Sequence, residues 1–166
     1  MPNLARIARH LFTTAARTRA LFTPAVLTQI EAAIGAAEQQ HAGEIRFAVE
    51  TALPWPALWQ NVDARSRALQ VFAHLRIWDT HANNGVLIYV LRADRAVEII
   101  ADRGISARVT QAEWQAVCRE VETHYRAGQY QEGARAAVAG VARLLSQHFP
   151  AKADGANELP NQPVLL

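Results

Sequence analysis

The sequence predicts one α/β domain in which a small mixed β-sheet, made of a hairpin and a parallel crossover strand, is sandwiched by helices on both faces. Three observations predict this class. Helix and strand patterns follow the order α-α-β-α-β-β-α-α, and a strand–helix–strand passage favours a parallel pair with a right-handed connection. One strand pattern is apolar throughout, which is typical of the middle of a covered sheet. The 166 residues, 51% hydrophobic and 19% charged, suit one globular domain.

Residues 1–22 are predicted to form an N-terminal basic helix. Apolar residues recur there at helical spacing, namely Leu4, Ile7, Leu11 and Ala15. Four of the 17 basic side chains lie in this part without an acidic one, namely Arg6, Arg9, Arg17 and Arg19. The other 13 basic residues face 15 acidic ones, so we expect no nucleic-acid binding. Residues 4–20 either contact an anionic membrane surface peripherally or expose a solvated arginine face.

Residues 23–150 are predicted to form the α/β domain itself. Thr23 and Pro24 have the residue types of a helix N-cap and first turn, and the helix they open extends to about Gln40. Residues 44–50 then alternate between apolar and polar side chains, which predicts a strand with one polar face.

The middle of the chain supplies a loop, a helix and two further strands. Residues 53–56 contain two prolines and are assigned to a loop, and a helix is predicted over residues 62–78. Turn formers cluster over residues 79–85. The apolar run at residues 86–91 and the run at residues 96–100 are separated by a short polar break, so they are predicted to pair as a hairpin.

The hairpin turn fixes which residues oppose one another. If the turn consists of residues 93–94, positions whose numbers sum to 187 lie opposite each other. Gly85 then faces Asp102, and Asn84 faces Arg103.

Two helices and a tail complete the prediction. Thr110 and Glu113 have the spacing of a capping box, and the helix they open runs to about Gly128. The last helix covers about residues 131–149 and is stopped by a proline. Residues 151–166 show no periodicity and are assigned to an irregular C-terminal tail.

Polar side chains gather at one edge of the predicted sheet. If the first strand runs parallel to the strand over residues 86–91, the starts of both strands lie at the same edge as the end of the third. The residues expected there are His41, Glu44, Asp79, His81, Asn83, Asn84, Asp102 and Arg103.

This edge carries a candidate site for metal-assisted phosphate chemistry. Asp79, Asn84 and Asp102 offer the oxygen ligands that Ca²⁺ or Mg²⁺ prefers. Bound metal would polarise a phosphoryl oxygen and activate a water. Arg103 would hold the phosphate with two hydrogen bonds, and His81 would act as general acid. The candidate catalytic residues are therefore Asp79, His81, Asp102 and Arg103.

The same residue types also have a purely structural explanation. Aspartate and asparagine before glycine are ordinary turn formers, since they tolerate left-handed backbone and bond their own main chain. Asn83 and Asn84 fit this explanation, and Asp79 directly follows a predicted helix that it would terminate.

Other classes of site have no pattern in the sequence. There is no phosphate-binding loop and no dinucleotide fingerprint, so we expect no organic cofactor. The single cysteine, Cys118, falls on a buried helix stripe and is expected to be a core thiol. No apolar run has the length of a signal peptide or a membrane span, and we therefore expect a cytoplasmic location.

Three stretches resemble the TPM domain, a family whose better-known members are thylakoid and bacterial envelope proteins. They are Gly43-Glu44-Ile45-Arg46-Phe47, Asn83-Asn84-Gly85-Val86-Leu87-Ile88 and Asp94-Arg95-Ala96-Val97-Glu98-Ile99. The step Tyr125-Arg126-Ala127-Gly128-Gln129-Tyr130 is also similar, and the resemblance covers about residues 24–148.

The resemblance implies an α/β sandwich, phosphatase activity and, in some relatives, a divalent metal at acidic loops on one edge of the sheet. The chain departs from the family at residues 101–106, where the usual glutamate is absent and Asp102-Arg103 appears instead. Many relatives also carry a signal peptide and a membrane anchor. Neither pattern is found in this sequence, which is therefore similar to a soluble, stand-alone branch of bacterial type.

Two functions follow as expectations. The first is metal-assisted hydrolysis of phosphomonoesters at the loop edge of the sheet. The alternative is a non-catalytic module that binds a protein partner and acts with a membrane or envelope partner. The candidate surfaces for the alternative are the basic N-terminal residues and the two tryptophans Trp55 and Trp59. The identity of the partner is unknown.

Overall fold

The computed structural model describes residues 3–152 and 155–166. Within this part of the chain the helices are α1 (Leu4–Phe12), α2 (Ala15–Leu21), α3 (Pro24–Glu38), α4 (Trp55–Trp59), α5 (Ala64–His74), α6 (Arg103–Ser106), α7 (Gln111–Arg126) and α8 (Tyr130–His148). The strands are β1 (Glu44–Glu50), β2 (Gly85–Leu91), β3 (Ala96–Ala101) and β4 (Val164–Leu165). They form one mixed sheet in the order β3-β2-β1-β4. The predicted fold class is confirmed.

The register of the sheet also agrees with the prediction. Strand β1 runs parallel to β2, with Glu44 opposite Gly85. Strands β2 and β3 are antiparallel, and each pair of opposed residues sums to 187. The backbone N–H of Asp102 donates to the Gly85 carbonyl at 2.9 Å, which extends this pairing by one position. The starts of β1 and β2 and the end of β3 therefore meet at one edge, which we call the loop edge.

Helices cover both faces of the sheet. Val86, Ile88 and Val90 of strand β2 point into a core shared with α3, α7 and α8. The alternate residues Leu87, Tyr89 and Leu91 point into a second core, which includes residues of α4 and α5. The absence of apolar–polar alternation in β2 is thus explained, because both of its faces are buried.

The N-terminal segment differs from the single helix predicted over residues 4–20. Helix α1 ends at Phe12, and Thr13 and Thr14 adopt extended backbone. The Thr14 hydroxyl then accepts a hydrogen bond from the Arg17 backbone N–H and starts α2. Two consecutive β-branched residues that also act as caps interrupt a helix that apolar spacing alone would continue.

The segment between β1 and β2 also differs from its prediction. A short helix, α4, occupies part of the predicted loop because Pro56 lies in its first turn, where no backbone donor is required. The predicted helix over residues 62–78 is shorter at both ends. Asp63 caps α5 by accepting from the Ser66 N–H at 2.6 Å, and the left-handed Arg76 follows its end.

The predicted irregular tail contributes a fourth strand. Strand β4 pairs with β1 in parallel at Ala48 and Val49. Side chains of β1 hold the residues that precede β4. The Arg46 guanidinium donates to the carbonyls of Pro160 and Gln162, and the Glu44 carboxylate accepts from the Leu159 N–H at 3.2 Å. Strand β1 is consequently buried along its whole length, including its charged residues.

Within the described residues, no single helix is long and apolar enough to cross a membrane. Helices α2 and α3 together reach the required length and composition, but they are bent by 59° at their junction.

Candidate functional site

A cleft of about 800 Å³ lies at the loop edge, between the end of α3, the starts of β1 and β2, and residues 155–161. Its polar lining includes Glu38, His41, Glu44, His81, Asn84 and Glu158. Four of these six residues belong to the set that strand logic places at this edge. Glu38 and Glu158 do not.

Backbone pairing across the loop edge positions the walls of the cleft. The Glu44 N–H donates to the Asn84 carbonyl at 3.0 Å, and the Asn84 side-chain amide donates to the Ala42 carbonyl at 2.6 Å. The Gly104 N–H donates to the carbonyl of Asn83, whose φ of 50° marks the sharp turn before β2. Asn83 thus performs the turn-forming role proposed for it, whereas the Asn84 side chain bonds the distant Ala42 carbonyl and lines the cleft.

Glu38 is the most strongly perturbed carboxyl group in the cleft. Burial raises its pKa to about 7, and the charge of Glu44 adds to this effect. A hydrogen bond from the Ile45 N–H at 2.9 Å opposes the rise but does not cancel it. A carboxyl group that titrates near neutral pH is suited to proton transfer or to binding a cation.

Two further glutamates surround the same space. Burial raises the pKa of Glu44, and the charge of Glu158 contributes to the rise. The Glu158 carboxylate accepts a hydrogen bond from the His81 backbone N–H at 2.9 Å, which ties residues 155–161 to the turn before β2. The cleft therefore contains three carboxyl groups, of which two are destabilised as anions by burial.

His41 contributes a buried polar residue to the lining of the cleft. Its side chain is almost fully enclosed, and Nδ1 accepts a hydrogen bond from the Gly43 N–H at 3.2 Å. Burial lowers the pKa of His41 to about 4, so the imidazole is neutral at pH 7 and carries its proton on Nε2. Nε2 has no hydrogen-bond partner among the described residues. It is an enclosed donor without an acceptor in the described part of the chain.

The structure separates the residues of the predicted phosphate site. His81 and Asn84 line the cleft, whereas Asp79, Asp102 and Arg103 are not among its described lining residues. The Asp79 carboxylate is exposed and pairs with Arg76 at 2.9 Å. Asp102 caps α6, because its Oδ1 accepts from the Arg103 N–H at 2.7 Å, and the Arg103 side chain is exposed.

Two of the three predicted metal ligands have oxygen atoms that suit a hard cation. Asn84 Oδ1 and Asp102 Oδ2 are buried oxygen atoms without a hydrogen-bond partner in the described chain, which fits a cation. The Asp79 carboxylate is exposed and forms a surface ion pair with Arg76. Among residues 3–152 and 155–166, no three His, Cys, Asp or Glu side chains are grouped so that they would hold a metal ion. The assignment of Asp79, Asn84 and Asp102 as metal ligands stays a prediction.

The sequence gives no signal of the burial of Glu38 or of the placement of the exposed Glu158 beside the cleft. Glu38 ends a helix whose other polar residues are mostly exposed, so its pattern is that of an ordinary terminal residue. Glu158 belongs to the segment assigned to an irregular tail. Both placements depend on where residues 155–161 lie. That position is determined by the side chains of Glu44 and Arg46, which are more than 100 residues earlier in the sequence.

Glu38 is expected to make the free energy of unfolding depend on pH. Its folded-state pKa is raised from 4.5 to about 7, so the neutral carboxyl stabilises the fold below pH 4.5, and this stabilisation is lost as pH rises through 7. Between pH 5 and pH 8 we expect the native chain to lose about 2 kcal/mol relative to Glu38→Gln, a value reduced for partial exposure. Urea unfolding of both proteins at both pH values measures this difference. Parallel pH profiles would contradict it.

Comparisons with known proteins agree with this architecture. A family model described as the TPM domain matches residues 16–144. The NMR structure of the BA42 protein from the psychrophilic bacterium Bizionia argentinensis is 30% identical, with a TM-score of 0.76, and the match covers 87% of this chain and 94% of that one. The N-terminal domain of a protein from P. gingivalis shares the fold, at 19% identity and a TM-score of 0.63, over 80% of this chain and 83% of that one. No curated protein matches the chain. The chain therefore belongs to the TPM domain family.

Proposed function

We propose that this TPM domain is a non-catalytic binding module that takes a cationic side chain of a partner protein into the cleft at the loop edge. The observation that supports the proposal is the set of three glutamates, Glu38, Glu44 and Glu158, around one cleft of about 800 Å³. Lys152 is the one lysine or arginine among the described lining residues. The cleft is therefore acidic.

Burial of the carboxyl groups favours a cationic ligand. The pKa values of Glu38 and Glu44 are both raised by burial, so their negative charge is destabilised in the free protein. A positive charge placed between them offsets that cost and favours the ionised form. An ammonium or guanidinium group on a flexible side chain suits carboxyl groups that surround a space rather than converge on one point.

The neutral His41 supplies a complementary contact. Its Nε2–H lies buried at the cleft without an acceptor among the described residues. A peptide that inserts a lysine or arginine also brings backbone carbonyls, which accept hydrogen bonds from such a donor. A phosphate ester satisfies His41 but is repelled by the three glutamates. The electrostatics of the cleft thus favour a basic peptide over a phosphomonoester.

Titration of the protein with trilysine, followed by backbone NMR shifts, tests the proposal. We expect shifts concentrated at residues 38–44 and 81–84, and a dissociation constant about tenfold weaker for Glu38→Gln or Glu158→Gln, since each removes one charged contact. Glu120→Gln, at an exposed position of α7, is the matched control and should bind as the native chain does. Trilysine with acetylated side chains should not bind. Equal shifts with both peptides, or none with either, would reject the proposal.

Metal-assisted phosphatase activity is the second candidate. The buried and unpartnered oxygens of Asn84 and Asp102 favour it, since oxygen atoms of this kind are the ligands that a divalent cation prefers. The test is the rate of p-nitrophenyl phosphate hydrolysis with added Mg²⁺, Ca²⁺ or Mn²⁺, compared between the native chain and the variants Asp79→Ala and Asp102→Ala. Metal-dependent turnover that both substitutions abolish would establish the phosphatase. Turnover that survives both would place any such activity outside the predicted residues.

A further inference from the structure

Helix α1 is attached to the domain by its polar side. Around the helix, Leu4, Leu11 and Phe12 form an apolar face that extends toward Ile7, whereas Arg6 and His10 lie on the adjoining polar face. The two enclosed side chains of α1 are Arg6 and His10 of the polar face. Of the large apolar residues of α1, Ile7 alone packs partly onto the second core. Leu4, Leu11 and Phe12 are 79%, 64% and 76% exposed. An amphipathic helix ordinarily buries the opposite side.

Specific polar contacts attach α1 to the domain and fix its orientation. The Arg6 guanidinium lies 2.7 Å from the Asp94 carboxylate and also donates to the Val62 carbonyl at 2.8 Å. His10 Nδ1 accepts from the Leu53 N–H at 3.0 Å, and His10 Nε2 lies 3.1 Å from Asp94. These contacts hold the apolar face of α1 away from the domain.

The segment that receives α1 carries more exposed apolar surface. Residues 53–62, which the two polar side chains of α1 contact, include helix α4. Trp55 and Trp59 at its two ends are 54% and 58% exposed, and their rings lie 5.8 Å apart. Five large apolar side chains are thus exposed on α1 and on the segment beneath it. Surfaces of this kind mark sites of protein or membrane contact.

The charge near this surface identifies the class of partner. The first acidic residue in the sequence is Glu31, so α1 and α2 carry no negative side chain. Arg9 is 56% exposed at its side chain, and Arg17 and Arg19 are exposed on α2. Exposed leucine, phenylalanine and tryptophan beside exposed arginines match the chemistry of an anionic bilayer surface, with apolar side chains at the acyl boundary and arginines at the headgroups.

We propose that α1 and α4 form a docking surface for an anionic lipid bilayer. The domain lies on the bilayer, with the apolar face of α1 inserted at the interface and with Arg9, Arg17 and Arg19 at the headgroups. Arg6 takes no part in lipid binding, because it holds α1 to Asp94. The proposal does not depend on the binding function of the loop-edge cleft, which is formed by other residues.

Co-sedimentation of the full chain with lipid vesicles tests the proposal. We expect binding to vesicles of mixed phosphatidylcholine and phosphatidylglycerol, weakening as salt is added, and little binding to phosphatidylcholine alone. The triple variant Leu4→Ser, Leu11→Ser, Phe12→Ser should bind at least about tenfold more weakly, because it removes the inserted apolar groups. Arg17→Gln with Arg19→Gln should bind more weakly and with a smaller dependence on salt.

Leu69→Ser, at an exposed apolar position of α5, is the matched control and should leave binding unchanged. All altered side chains are exposed, so thermal unfolding of the variants should remain near that of the native chain. No binding to phosphatidylglycerol vesicles, or equal binding by the triple variant, would overturn the proposal. A concentration-dependent dimer that the triple variant abolishes, without any vesicle binding, would assign the surface to self-association instead.

Discussion

Replacement of Gly85 by alanine is expected to lower the free energy of unfolding by at least about 3 kcal/mol, the upper part of the range for overpacked buried sites. A Cβ at this position would lie 2.2 Å from the Ile77 carbonyl oxygen and 2.6 Å from its Cγ2. Neither atom is free to move, since Ile77 is fully buried and its N–H is bonded to the Phe72 carbonyl at 3.1 Å. Urea unfolding followed by circular dichroism measures the loss.

The matched control is Gly155→Ala. A Cβ at Gly155 would meet its nearest neighbour, the Lys152 carbonyl, at 3.6 Å, which is ordinary contact. This variant should unfold within about 0.5 kcal/mol of the native chain. Similar stability of the two alanine variants would show that the turn before β2 adjusts more easily than its contacts indicate.

Replacement of Asp94 by asparagine is expected to cost about 3 kcal/mol and to loosen helix α1. The carboxylate is 13% exposed and lies within 3.2 Å of Arg6, Arg9 and His10. Burial alone would raise the pKa of Asp94. Hydrogen bonds from these three side chains outweigh the effect of burial, so the pKa of Asp94 lies below its usual value. Loss of the charge leaves Arg6 partly buried without its counter-ion, which is the costly outcome for an enclosed ion pair.

Denaturant unfolding and hydrogen exchange of the α1 amides measure the two effects separately. Arg9→Gln is the control, because its side chain is 56% exposed and an exposed pair contributes at most about 1 kcal/mol. Equal effects of Asp94→Asn and Arg9→Gln would contradict a central role for the carboxylate. The same Asp94 variant should also weaken vesicle binding if the orientation of α1 matters for docking.

These two residues show what the family-like stretches do in this chain. Gly85 belongs to the stretch Asn83–Ile88, and Asp94 opens the stretch that forms the hairpin. The two residues lie at opposite ends of β2, with Gly85 at the loop edge next to the cleft residue Asn84 and Asp94 in the hairpin turn. In this chain Gly85 allows close packing against Ile77, and Asp94 anchors α1.

The sheet was predictable because its determinants are local. A tight turn at residues 93–94 fixes the pairing of β2 with β3, and an apolar run without alternation identifies a strand covered on both faces. The loop edge followed from this register, and with it the placement of His81 and Asn84 at the cleft.

The remaining features depend on contacts between distant parts of the chain. Strand β4 has two residues and no periodic pattern, and its position is set by β1 more than 100 residues earlier. The raised pKa of Glu38 arises from burial that a helix pattern does not reveal. Residue type alone also did not reveal that the exposed Asp79 carboxylate pairs with Arg76, three residues before it.

The cover that residues 159–165 provide for β1 also bears on edge-to-edge association between molecules. Strand β4 pairs with β1 at two positions, while Arg46 and Glu44 bond the backbone of the residues before it. Without this segment, seven residues of β1 would form an open edge rich in apolar side chains. Such an edge is a template for strand-to-strand association between molecules. A short segment held largely by two charged side chains thus protects the sheet against aggregation.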